Sequence, residues 1–100
     1  MLKTSFVARL VAKPGKEEEL ASFLRGALPL AEQERGTVVW FALRASPSEL
    51  YIFDAFPDEA SREAHLQGPI AAALMAKAPD LLAEPPSILP CEVLASKVPA

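Results

Sequence analysis

His65 is the only histidine in the chain, and histidine is the side chain whose ordinary pKa lies nearest neutrality. It sits in Arg62-Glu63-Ala64-His65-Leu66-Gln67-Gly68-Pro69, a helical stretch that runs into a break. There it can act as a general base or orient a bound molecule; equally, it can donate to a backbone carbonyl or close off a pocket. Trp40, the single tryptophan, brings an indole N–H into an apolar strand, as pocket wall or as plain core. The Tyr51 hydroxyl can bond a ligand or face another subunit. Arg44 ends a strand on the same face as Trp40, where it can hold an anionic oxygen or stay solvated. Phe53, Phe41 and Leu74 are candidate lining residues, with core packing as the alternative.

Other chemistry is thinly represented. One histidine and one cysteine, Cys91, make no metal-ligand cluster of the usual kind, so no metal is expected. Cys91 follows Pro90 with no base nearby and reads as inert. The four glycines are scattered, which leaves no phosphate-cradling loop. Asp58 and Glu59 read as a helix start, and Glu17 to Glu19 as a first turn matched to the helix dipole.

Ten basic and thirteen acidic residues give a net charge of −3. With no Lys/Arg cluster, nucleic acid is not an expected partner. The longest apolar runs, Ile70–Ala76 and Val38–Leu43, fall far short of the roughly 20 residues a membrane span needs. Lys3, Arg9 and Lys13 interrupt the amino end, which does not resemble a signal peptide. The expectation is a cytoplasmic protein of 100 residues forming a single domain, 1–100.

The elements that must position these residues follow from periodicity. Phe6–Ala12 reads as a strand, stopped by Pro14-Gly15. Leu20, Phe23, Leu24, Ala27 and Leu28 recur at helical spacing, predicting a helix from about Lys16 to Leu28. Pro29 interrupts it, and Leu30 to Arg35 continue after a kink, with Gly36 as a stop. Thr37–Arg44 and Leu50–Phe56 are β-branched and aromatic, hence strands of a hairpin. Asp58 is placed as N-cap of a helix over Glu59–Gln67. Gly68-Pro69 breaks the pattern, an alanine-rich helix resumes over Ile70–Lys77, and Asp80–Glu84 reads as a short helical turn. A last strand falls within Ser87–Ala95, at an edge because of Pro90. The order β-α-β-β-α-β predicts an α+β, ferredoxin-like antiparallel sheet with helices on one face.

A sheet with helices on one side and water on the other alternates apolar and polar residues. Here Val38, Trp40 and Ala42 oppose Val39, Phe41 and Leu43, while Tyr51, Phe53 and Ala55 oppose Leu50, Ile52 and Phe56. Both faces are therefore expected to be covered, one by helices and the other by a second copy, giving a homodimer through the sheet face. Composition agrees. Of the 51% hydrophobic residues 18 are alanine, and the remaining 33 are many for the interior of one small domain. Two charges interrupt the strands. Arg9 and Asp54 fall on neighbouring central strands and are expected to pair across the sheet or bridge the dimer.

Together these elements and several local strings resemble the antibiotic biosynthesis monooxygenase family, whose quinol-monooxygenase-like members form dimeric α+β barrels. The strings are Ala12-Lys13-Pro14-Gly15-Lys16-Glu17-Glu18-Glu19-Leu20, Glu34-Arg35-Gly36, Tyr51–Phe56 and Arg62–Pro69, and the resemblance spans about Ser5 to Leu94. It implies a homodimer whose two sheets face each other, with an apolar pocket in each subunit. It also implies oxidation of a small quinol or polyphenol by molecular oxygen with no cofactor, His65 serving as base and Trp40, Tyr51, Phe53, Arg44 and Leu74 binding substrate. A haem-degrading branch uses a first-strand asparagine; this chain contains no asparagine at all. Two other readings stay open on the same scaffold: a non-catalytic dimeric module binding an apolar metabolite, and a non-oxidative isomerase or decarboxylase.

Overall fold

The computed structural model describes residues 1–99. Ala100, the end of the range expected to form a single domain, lies outside the described residues. The elements are β1 (Thr4–Val11), α1 (Glu17–Glu32), β2 (Val39–Arg44), β3 (Glu49–Phe56), α2 (Glu59–Leu66), α3 (Pro69–Leu81) and β4 (Ser87–Glu92). The four strands form one antiparallel sheet in the order β2-β3-β1-β4. This is the expected α+β, ferredoxin-like arrangement. No described helix is long and apolar enough to cross a membrane.

Local chemistry accounts for most boundaries. Gly15 turns the chain out of β1 at φ 85°, a conformation glycine adopts without steric cost. Three glutamates open α1 where its dipole is positive. Asp58 Oδ1 accepts from the Ser61 amide at 2.8 Å and caps α2. Pro69 stands in the first turn of α3, where its missing N–H has no helical partner to lose. Pro90 lies in β4, at an edge of the sheet as expected.

Two prolines behave differently from expectation. α1 runs through Pro29 to Glu32 instead of pausing there, and α3 runs through Pro79 to Leu81, absorbing part of the separate turn expected at Asp80–Glu84. In both helices the residue beyond the proline is anchored in the core: Ala31 and Leu81 are 4% and 1% exposed. Burial of a stripe on both sides of the proline outweighs the lost hydrogen bond.

The main core lies between helices and sheet, where Ala8, Leu10, Leu50 and Ile52 meet Leu20, Leu24, Leu74 and Leu81. The other sheet face carries Val7, Arg9, Phe41, Leu43, Tyr51, Phe53 and Leu89, in register with one another across the strands. Phe41 stacks on Phe53 with ring centroids 6.4 Å apart.

The expected Arg9–Asp54 pair does not form. Asp54 stands opposite Phe6 and belongs to the helix side, whereas Arg9 stands opposite Tyr51 on the outer side. Arg9 instead bonds Glu49 at 2.5 Å and Glu84 at 2.9 Å, at the surface. Alternation along a pleated strand sends odd and even positions to opposite faces, so no rotamer could join the two.

Candidate functional site

Asp54 is the polar member of the helix-facing set of β3, between Ile52 and Phe56. It is 1% exposed. A carboxyl group buried among apolar neighbours needs a partner, and α2 supplies one: His65 Nε2 lies 2.9 Å from Asp54 Oδ2. The ring rests against Phe56, centroids 5.3 Å apart. Its other nitrogen, Nδ1, lies 2.5 Å from Oε1 of Glu34, in the segment leading out of α1. Thr37 Oγ1 donates to the same Glu34 oxygen at 2.7 Å. The imidazole is thus clasped between two carboxyl groups. Burial alone would discourage its charge, but the hydrogen bonds to Asp54 and Glu34 outweigh burial and hold His65 above its ordinary value of 6.5.

Two glycines let these segments close on each other. A Cβ on Gly36 would lie 2.6 Å from both Cβ and Oγ of Ser61, so only glycine lets the segment carrying Glu34 and Thr37 press against α2. A Cβ on Gly68 would come within 3.2 Å of Glu34 Oε2. The strings Glu34-Arg35-Gly36 and His65-Leu66-Gln67-Gly68 are therefore two sides of one contact.

An apolar chamber of about 40 Å³ lies between sheet and helices, with Asp54 and His65 among walls that include Phe6, Ile52, Ile70 and Leu74. Leu66, Ala71, Leu74 and Ile88 also line a second, outer hollow of about 260 Å³ that touches Gln67 and Met75. The inner part has room for a water molecule or two, and the outer hollow approaches the size of a small-ligand pocket. Asp54 Oδ1 is buried with no hydrogen-bond partner, as are Glu34 Oε2 and Trp40 Nε1. The two carboxyl groups bond opposite nitrogens of one ring, an arrangement for moving protons; among the described residues no His, Cys, Asp and Glu side chains group to hold a metal ion.

No family model and no curated protein matches the chain. Among solved structures, the NE2512 protein of unknown function from Nitrosomonas europaea is 58% identical, with a TM-score of 0.98 over 100% of this chain and 97% of that one. The chain belongs to the same family as NE2512. A "putative antibiotic biosynthesis monooxygenase" from the same organism superposes with a TM-score of 0.82 at 17% identity, over 92% of this chain and 90% of that one. A protein of the same description from Caulobacter crescentus gives 0.80 at 18% identity, over 94% and 92%. This member of the NE2512 family therefore has the antibiotic biosynthesis monooxygenase fold, as the resemblance in its sequence implied.

The structure brings two of the anticipated site residues, His65 and Leu74, to the chamber. Trp40 stands opposite Asp54 in the β2–β3 ladder, but its ring packs toward Ala27, Ala31 and Ile70. The remaining three lie elsewhere. Tyr51 is on the outer face with its hydroxyl donating to Glu49 at 2.9 Å, and Phe53 is on that face stacked on Phe41. Arg44 bonds Glu18 at 2.9 Å at the far end of β2. His65 itself has no free ring nitrogen, so the unpartnered proton acceptor at the chamber is Asp54 Oδ1. Sequence reasoning noticed Asp54 and Glu34 but assigned neither to the site. Asp54 carried a usable signal, a charge sharing a strand face with the apolar Ile52 and Phe56; Glu34 carried only its place in the Glu34-Arg35-Gly36 string.

Proposed function

We propose that this chain is a homodimeric, cofactor-independent oxygenase for a small quinol or polyphenol, bound with its hydroxyl toward Asp54. One observation carries this reading: a carboxyl group 1% exposed, tied to His65 through one oxygen and unpartnered at the other, lines an apolar chamber. Asp54 takes the proton of a ring hydroxyl, and the electron-rich anion left behind reduces oxygen. The reaction balances without an added reductant, since a quinol and one O₂ give a hydroxyquinone and one water. Apolar walls keep bulk water from the anion. The fold shared with antibiotic biosynthesis monooxygenases supports this reading.

The dimer forms through the outer sheet face, where Phe41, Leu43 and Leu89 are each half exposed. Contiguous apolar surface of this kind marks an interface. The single described cysteine, Cys91, is free and suits the reducing cytoplasm.

Oxygen uptake with a panel of quinols tests the reading. Wild-type protein should exceed the uncatalysed rate, and Asp54→Asn should lose roughly a hundredfold or more. Uptake no faster than buffer, or an unchanged Asp54→Asn variant, overturns it. A second reading, binding of an apolar metabolite without turnover, is favoured by the apolar walls of the outer hollow and predicts ligand-dependent stabilisation with no oxygen consumed. Turnover without oxygen would instead mark an isomerase or decarboxylase.

A further inference from the structure

His65 borders two separate hollows. One is the apolar chamber; the other is an open cleft of about 370 Å³ on the far side of α2, lined by Glu34, Gly36, Thr37, Asp58 and Ser61. The three clasped groups lie in sequence between them. Side-chain exposure rises along the row, from 2% at Asp54 to 9% at His65 and 18% at Glu34. The hydrogen bonds form one chain: Asp54 Oδ2 to His65 Nε2 at 2.9 Å, then Nδ1 to Glu34 Oε1 at 2.5 Å, with Thr37 Oγ1 on that last oxygen. Around the chamber β1 and α3 present only apolar side chains to the ring, among them Phe6, Ile70 and Leu74, and the other charged groups bordering the cleft are Arg35 and Asp58.

We propose that Glu34 is the outlet of a proton path that runs from the chamber through Asp54 and His65 to this cleft. A proton entering at Asp54 Oδ1 displaces one at the far end: His65 passes its Nδ1 proton to Glu34 Oε1. The donor in the chamber is left as its anion, Asp54 and Glu34 become neutral acids, and the imidazole becomes neutral with its proton on Nε2. Glu34 then releases its proton to cleft water. The donor's identity rests on the oxygenase reading; the path does not. Glu34 is a positioning and relay residue, since it reaches the chamber only through His65.

Because His65 is the sole histidine, ¹⁵N-histidine labelling gives one ring to follow by NMR. The measurement is the exchange of its ring N–H protons with water, at a pH where the ¹⁵N shifts show the ring protonated in each protein compared. Glu34→Gln should slow exchange by roughly tenfold, because an amide cannot take the proton onward. Glu34→Asp should restore part of the rate, and Glu63→Gln, at an exposed carboxyl group of α2, should leave it unchanged. A Glu34→Gln rate equal to or faster than wild type overturns the path, as does an equal slowing by Glu63→Gln. Oxygen uptake measured alongside separates the two claims. Exchange gated by Glu34 without quinol oxidation retires the oxygenase alone; quinol oxidation with exchange indifferent to Glu34 retires the path alone.

Discussion

Asp54 Oδ2 and His65 Nε2 meet at 2.9 Å beneath α2, joining the helix to a central strand through the only charged group the strands place in the core. Apart from Glu34 on His65 Nδ1, the neighbours are apolar, among them the fully buried Phe56 and the chamber residues Ile70 and Leu74. The pair is thus structural and chemical at once, because the group that needs a partner to be buried also borders the chamber.

Removing one member strands the other. Asp54→Ala should cost about 3 kcal/mol and lower Tm by at least roughly 12 °C, since a buried charge loses its partner. The double variant Asp54→Leu/His65→Leu should be more stable than the sum of its singles. Denaturant melts of the four proteins give the coupling directly, and strict additivity would contradict a paired site.

The clasp also sets a pH dependence. His65 binds its proton more tightly in the folded protein than at its ordinary value of 6.5. That contribution is complete below the unfolded value and disappears as pH rises through the folded one. Unfolding free energy should therefore fall as pH is raised above 6.5, by up to about 1.4 kcal/mol per pH unit. His65→Gln should flatten that part of the curve; a slope that survives the substitution would assign it to another group.

Gly36 offers a steric test. Gly36→Ala puts a methyl group 2.6 Å from Ser61 Cβ and Oγ, and should cost about 1–3 kcal/mol. Ser61→Gly should cost up to about 1 kcal/mol alone, yet improve the Gly36→Ala protein by making room. Thermal melts showing no such rescue would mean that the two segments are less closely pressed than this geometry requires.

The outer sheet face makes a prediction about assembly. Phe41→Asp and Leu43→Asp place charges on half-exposed apolar positions and should convert a dimer into a folded monomer, as read by light scattering and far-UV circular dichroism. A wild-type protein that is monomeric at micromolar concentration would refute the dimer.

Much of this molecule was legible from residue order. The hairpin, the Asp58 cap, the Gly68-Pro69 break and the edge position of the last strand rest on local chemistry that the structure repeats. The interruption expected at Pro29 and the separate turn expected at Asp80–Glu84 rest on local breaker chemistry, while the helices are held by what they bury beyond each proline. His65 and Leu74, candidates by residue type and resemblance, both border the chamber. Tyr51 and Phe53 fall on the other sheet face, and nothing in the chain says which strand face meets the helices; Arg44 shares the helix-facing side but sits at the far end of β2 against Glu18.

Residue order alone sets the order of elements, the break after His65 and the apolar character of both sheet faces. Which face turns inward is a matter of packing between helices and sheet. Period-two alternation separates two sets of side chains, but it names the buried set only when the other is polar. With both sets apolar, docking of the helices made the choice. It placed Asp54 inside against His65 and Glu34, and left Arg9, Tyr51 and Phe53 on the other side of the sheet.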